Sequence, residues 1–135
     1  VQALSEAKRV TKSGGIIMVA YVMTEYAVVV YGIQENHIKE SVEGGQLDEA
    51  YHTVPGEESL YSFERIEDIE EYNEAVRLTR EKILSPDGPA NYIRPFVNQL
   101  SEESYELFVE YQLKVCERPD LIGAGAHTVD ILRKP

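Results

Sequence analysis

The sequence predicts an α/β fold, a sheet with helices packed against it, on three observations. Segments with helical periodicity alternate with short apolar or β-branched runs from one end to the other. The run at residues 16–22 is apolar without interruption, as in a strand covered on both faces. Glycine and proline clusters fall between these segments and not inside them.

The first element is a helix, with Leu4, Ala7 and Val10 at helical spacing and Glu6, Lys8, Arg9 and Lys12 on the outer face. Basic residues in its last turn and the pair Gly14–Gly15 stop it. The apolar strand at 16–22 follows. Thr24 and Glu25 open a second helix in which Tyr26, Val29, Val30 and Ile33 share a face, although the Val-rich stretch within it also has strand propensity. A short helix at 36–42 ends at Gly44–Gly45, and 46–56 reads as a loop. After Ser62 or Phe63 comes an amphipathic helix with the stripe Ile66, Ile69, Tyr72 and Val76 and a solvated acidic face. Residues 78–84 read as a half-exposed strand, closed by the turn-rich segment 85–89. Ser101 is an N-cap, with Glu102 and Glu103 in the first turn and Leu100 and Tyr105 placed as a hydrophobic staple. The helix it begins carries Tyr105, Phe108, Val109, Gln112, Leu113 and Cys116 on one face. The last strand is 127–132, with Val129 and Ile131 on one side.

Composition narrows the function classes. The net charge of −11, from 24 acidic and 13 basic residues, argues against binding nucleic acid and against an anionic membrane surface. No apolar run approaches the roughly 18 residues of a membrane span. The single cysteine, Cys116, forms no internal disulfide and fits a reducing cytoplasm; on an apolar helix face it reads as a buried, inert thiol. His37, His52 and His127 match no metal-binding spacing, so no metal is expected. Gly14–Gly15 precedes a strand and Gly123-Ala124-Gly125 lies in a loop, so neither is a phosphate cradle.

The candidate site residues follow from position. In open α/β sheets, ligands bind outside the carboxyl ends of strands. Tyr21 and Tyr26 lie at or after the end of the first strand, and Tyr92 and Arg94 after the second, so these four are the expected substrate-binding residues. Core packing of each tyrosine is the competing reading. His52, in a loop, is the candidate general base, against a hydrogen-bonded surface histidine.

The segment LSEAKRVTKSGGIIMV at residues 4–19 resembles the stretch of class I S-adenosylmethionine-dependent methyltransferases that leads from a helix through a Gly pair into the fifth strand, with Ser13 where the family usually has proline. Residues 61–76, 78–88 and 101–117 are similar in order to the helix before the sixth strand, that strand with its exit loop, and the last helix. Residues 117–132, ERPDLIGAGAHTVDIL, resemble the closing loop and seventh strand. The resemblance covers residues 1–135 and implies a partial Rossmann-like domain, with strands equivalent to five, seven and six and the last one antiparallel between the others. Residues 25–56 would then be an insertion or lid. It implies a parent protein that transfers a methyl group from S-adenosylmethionine to a small-molecule acceptor. The family's cofactor-binding half has no counterpart here, so no cofactor-binding residue is expected, and the chain alone should be inactive. It should also self-associate through the uncovered edge of the strand at 16–22. Two other readings fit the residues: a non-catalytic α/β interaction module, and another doubly wound enzyme with a nucleotide cofactor.

Overall fold

The computed structural model describes residues 1–56 and 59–135. A helix, α1 (Gln2–Val10), leads into strand β1 (Ile16–Met23). A helical insertion follows: α2 (Thr24–Ala27), which runs on as a π-helical segment (Val28–Gln34), and α3 (Ile38–Glu43). Next come a two-residue strand β2 (Phe63–Glu64), helix α4 (Ile66–Val76) and strand β3 (Thr79–Leu84). A 3₁₀ turn (Gly88–Ile93), the short α5 (Arg94–Val97) and α6 (Glu102–Val115) precede the last strand, β4 (His127–Arg133).

The four strands make one mixed sheet in the order β2-β1-β4-β3. β4 runs antiparallel to both neighbours, and β2 runs parallel to β1 over Val22 and Met23. β1 and β4 pair along seven residues, from Ile16 opposite Arg133 to Val22 opposite His127. The β3–β4 register shifts between Arg80 and Lys82, an extra residue at Glu81 that bends β3. Gly14 takes a positive φ of 75°, and its N–H donates to the carbonyl of Lys134 at 2.9 Å. The glycine turn thereby fastens the start of β1 to the end of β4.

The apolar core lies on one face of the sheet. Leu4 of α1, Ile17, Leu132, Val76 of α4 and Leu78 form it, with Ala7, Val19 and Tyr72 packed around them. The amphipathic patterns of α1 and α4 explain why both settle there: each has one apolar stripe to bury. Beside this core is a polar one. Asp130, fully buried, accepts two hydrogen bonds from Arg80, at 2.8 and 2.9 Å, and one from Asn73 at 2.6 Å. Glu64 accepts from the Tyr72 hydroxyl at 2.8 Å and from Ser62.

Several expectations are corrected. β1 is covered on one face only; Ile16 and Met18, on the other, are 44% and 67% exposed. Val10 is outside the α1 stripe, because the helix ends as the chain turns towards β1. α6 begins at Ser101 as expected, with the Ser101 hydroxyl accepting from Ser104 N–H at 3.3 Å. Its apolar side, however, is largely uncovered: Tyr105, Val109 and Leu113 are exposed, and Gln112 is the residue it buries. Cys116, at the end of this helix, is half-buried and not enclosed. Gly123 and Gly125 are packing glycines: a Cβ would stand 2.9 Å from Ile66 Cγ1 at the first and 2.6 Å from the Gly88 carbonyl oxygen at the second. Among the described residues no helix is long and apolar enough to cross a membrane.

Candidate functional site

The carboxyl ends of β1 and β3 and the amino end of β4 meet at one edge of the sheet. β1 leaves this edge directly into α2, because Met23 N–H is taken by the Ala126 carbonyl at 3.0 Å and Thr24 then starts the helix. α2 therefore places Glu25 and Tyr26 at the mouth. β3 leaves through Ser85–Asp87, and the 3₁₀ turn that follows delivers Tyr92 to the same place. The rings of Tyr26 and Tyr92 lie 5.1 Å apart and tilted, an aromatic pair in favourable geometry. The Tyr92 hydroxyl donates to the Ala124 carbonyl at 2.7 Å. Burial raises its pKa, and Tyr26, Glu25 and Asp87 nearby add to the effect.

A cleft of about 440 Å³ opens beside this pair, with Met23, Glu25, Arg65, Glu67, Ile122 and Ala124 among its walls. Arg65 Nε donates to Glu25 at 2.6 Å, and its Nη2 donates to the carbonyls of Ala50 and Tyr51 at 3.0 and 3.3 Å. One guanidinium thus holds α2, the 46–56 loop and the start of α4 together.

Two histidine–carboxylate pairs stand at this end of the molecule. His127 Nδ1 lies 2.6 Å from Asp87 Oδ2, and the His127 N–H donates to Asp87 Oδ1 at 3.3 Å. Asp87 is further held by Asn91 Nδ2 at 2.6 Å. The imidazole is about half exposed, so its Nε2 is open to a ligand. His52 Nε2 lies 2.9 Å from Asp68 Oδ2, and that same oxygen accepts from Arg65 N–H at 2.6 Å as an N-terminal cap of α4. The loop bearing His52 is an Asx turn in which Asp48 accepts from the N–H groups of His52 and Ala50, both at 2.8 Å. These backbone donors, His52 first, hold the Asp48 carboxyl below its usual range.

The sequence-selected residues are thus divided. Tyr26 and Tyr92 come together at the mouth, and His52 is tied to the start of α4. Tyr21 is elsewhere: it shares the covered face of β1 with Ile17 and Val19, and its hydroxyl is enclosed with no partner among the described residues. Arg94 opens α5 and is exposed, and it makes no hydrogen bond to the Tyr26–Tyr92 pair among the described residues. Sequence reasoning missed His127 with Asp87. Forty residues separate them, and the only signal was that both lie next to predicted strand ends.

Among the described residues no cluster of three histidine, cysteine or acidic side chains could hold a metal ion. Among the described residues, neither the end of β1 nor the 123–125 loop offers an adenosyl cofactor a glycine cradle. β1 passes into α2 with no glycine between them, and the glycines at 123 and 125 are filled against by Ile66 and Gly88. No known protein family matches the chain, and no curated protein matches it.

Proposed function

We propose that this chain is the acceptor-side half of a class I S-adenosylmethionine-dependent methyltransferase domain, and that the cleft at the carboxyl end of β1 receives a small-molecule methyl acceptor. The observation that carries the reading is the sheet order, with antiparallel β4 between β1 and β3. It supports equating β1, β4 and β3 with the family's fifth, seventh and sixth strands, which the wording of residues 4–19 and 117–132 suggests independently. The helical segment that follows β1 corresponds to the insertion at which such enzymes vary. In this reading the cofactor would be held by the strands of the other half.

The work left to this chain is to bind and orient the acceptor, which can supply several kcal/mol of a transfer reaction's acceleration, of order 7 or more in favourable cases. Glu25 and Arg65 offer polar contacts at the cleft and Met23, Ile66 and Ile122 apolar ones, while the Tyr26–Tyr92 pair stands outside its lining. His127, with Nδ1 held by Asp87, stands at the same end of the sheet outside the cleft's lining; its Nε2 makes no hydrogen bond among the described residues and is the candidate to take a proton from an acceptor hydroxyl or amine that reaches beyond the cleft. His52 remains a second candidate base through its Nδ1, since Asp68 engages only Nε2.

Calorimetric titration with S-adenosylhomocysteine tests the reading. It is run on this chain and on one extended upstream through the strands the reading requires. Binding by the extended chain alone is the expected result. Binding by neither removes the methyltransferase assignment and leaves an α/β interaction module.

A further inference from the structure

On the other flank of α2 from Tyr26 lies a groove of about 510 Å³, within the roughly 300–1,000 Å³ that small-molecule sites occupy. We propose that this groove binds an uncharged aromatic small molecule, at a site separate from the cleft at the end of β1. Its walls come from Val28 and Tyr31 of the π-helical segment, Leu47 and Val54 of the following loop, and Tyr61 and Phe63 leading into α4.

Three observations point to a ligand of this class. The first is the π-helical segment itself. Such segments are rare, usually single-turn, and concentrated at functional sites, and this one supplies Val28, Tyr31 and Gly32 to the groove. Its close approach to α3 leaves little room beyond a glycine: a Cβ on Gly32 would stand 3.2 Å from Ile38 Cδ1, which would have to shift. The second is charge. Charged residues make up 27% of the chain, yet none of the described residues that line the groove carries a charge. Among the described lining residues an ionised ligand finds no counter-charge to offset its lost hydration, whereas a neutral ring needs none. The third is the aromatic lining. Tyr31 is stacked on His37 at 4.5 Å, which fixes its ring from one side, and Tyr61 and Phe63 present further ring surface. The Ser41 hydroxyl and the Gln46 amide are the kind of sparse polar groups that orient such a ligand.

The test uses three probes of one shape on this chain: 2-naphthol, 2-naphthoate and 2-naphthylmethylammonium. Binding is followed by amide chemical shifts at pH 7. The expected result is a saturable shift at Gly32, Gly44, Gly45 and Gln46 with 2-naphthol, at least about tenfold tighter than with either charged probe. Val54→Trp, on the exposed rim, should weaken 2-naphthol by a similar factor while the remaining amide spectrum stays as in the parent. Failure of 2-naphthol to move those four amides overturns the proposal. Equal or tighter binding of the anion also overturns it, as does tighter binding of the cation, which would mark an aromatic cation cage instead. No outcome bears on S-adenosylhomocysteine binding, so this proposal and the methyltransferase reading stand or fall separately.

Discussion

Tyr21 carries its hydroxyl into the layer between β1 and α4, where no group among the described residues receives it. Burial first, then the carboxylates of Asp130 and Glu64, push its phenol up to about 12, against a partial offset from Arg80. Tyr72 is raised as well, by burial and by its hydrogen bond to Glu64. In the unfolded chain both phenols ionise near 10. A phenol whose pKa is higher in the folded state favours folding while it keeps its proton. That contribution is complete below about pH 10 and is lost as pH rises through the folded-state values. Alkaline unfolding should therefore begin above about pH 10. Tyr21→Phe should move its midpoint upward while changing stability at pH 7 by no more than about 1 kcal/mol, since no protein hydrogen bond is lost. Circular dichroism and tyrosinate absorbance against pH measure both. An unmoved alkaline midpoint would remove Tyr21 as the responsible group. The position of Tyr21 along its strand was legible in the sequence, but its facing was not. Residues 16–23 lack the polar alternation that tells one face from the other, so Tyr21 read as a mouth residue. His127 and Asp87 were illegible for a different reason: their contact depends on how the turn after β3 meets the start of β4.

At the scale of elements, Asp130 ties three of them together: β4, which bears it, β3 through Arg80, and α4 through Asn73. The hydrogen bond to the Asp130 carboxylate raises the pKa of the Arg80 guanidinium still further above its ordinary value. Removing one partner of a buried pair is costly because the other charge is left unpaired. Arg80→Met should therefore cost about 3–5 kcal/mol in urea unfolding, and adding Asp130→Leu should recover a large part of the loss. A cost under about 1 kcal/mol for Arg80→Met would show that Asn73 alone satisfies the carboxylate. The helices that contribute were legible from periodicity, as α4 was from Ile66, Ile69, Tyr72 and Val76. The lock was not, because it joins residues 50 and 57 positions apart. The start of α4 holds a second tie, from Asp68 to His52 and to Arg65 N–H. Asp68→Ala should cost about 1 kcal/mol as a lost cap and speed hydrogen exchange across residues 48–54. Unchanged exchange there would mean that Arg65 alone fastens the loop.

For the whole molecule, the sheet is covered on one side and open on the other. α1 and α4 bury Ile17 and Leu132, while Ile16 and Met18 face outward and are exposed, with no helix over them among the described residues. A continuous apolar run implies cover on both faces, and here the chain supplies only one. The same strand has a free edge: among the described residues β2 pairs only with Val22 and Met23, leaving residues 16–21 without a partner on that side. Open backbone donors and acceptors beside apolar side chains invite another strand. We therefore expect two copies of this chain to associate through β1 in the absence of other strands. Each copy carries a net charge of −11, so their mutual repulsion opposes contact and is screened by salt. Sedimentation at about 100 μM should show a reversible dimer that strengthens between low and physiological salt, in the range where exposed strand edges associate. Met18→Lys adds a charge at the contact in the way natural edge strands protect themselves, and it should return the chain to monomer without changing its circular dichroism. A parent chain that stays monomeric at that concentration in both salts would show that the edge is blocked within one molecule, and the self-association would have to be abandoned.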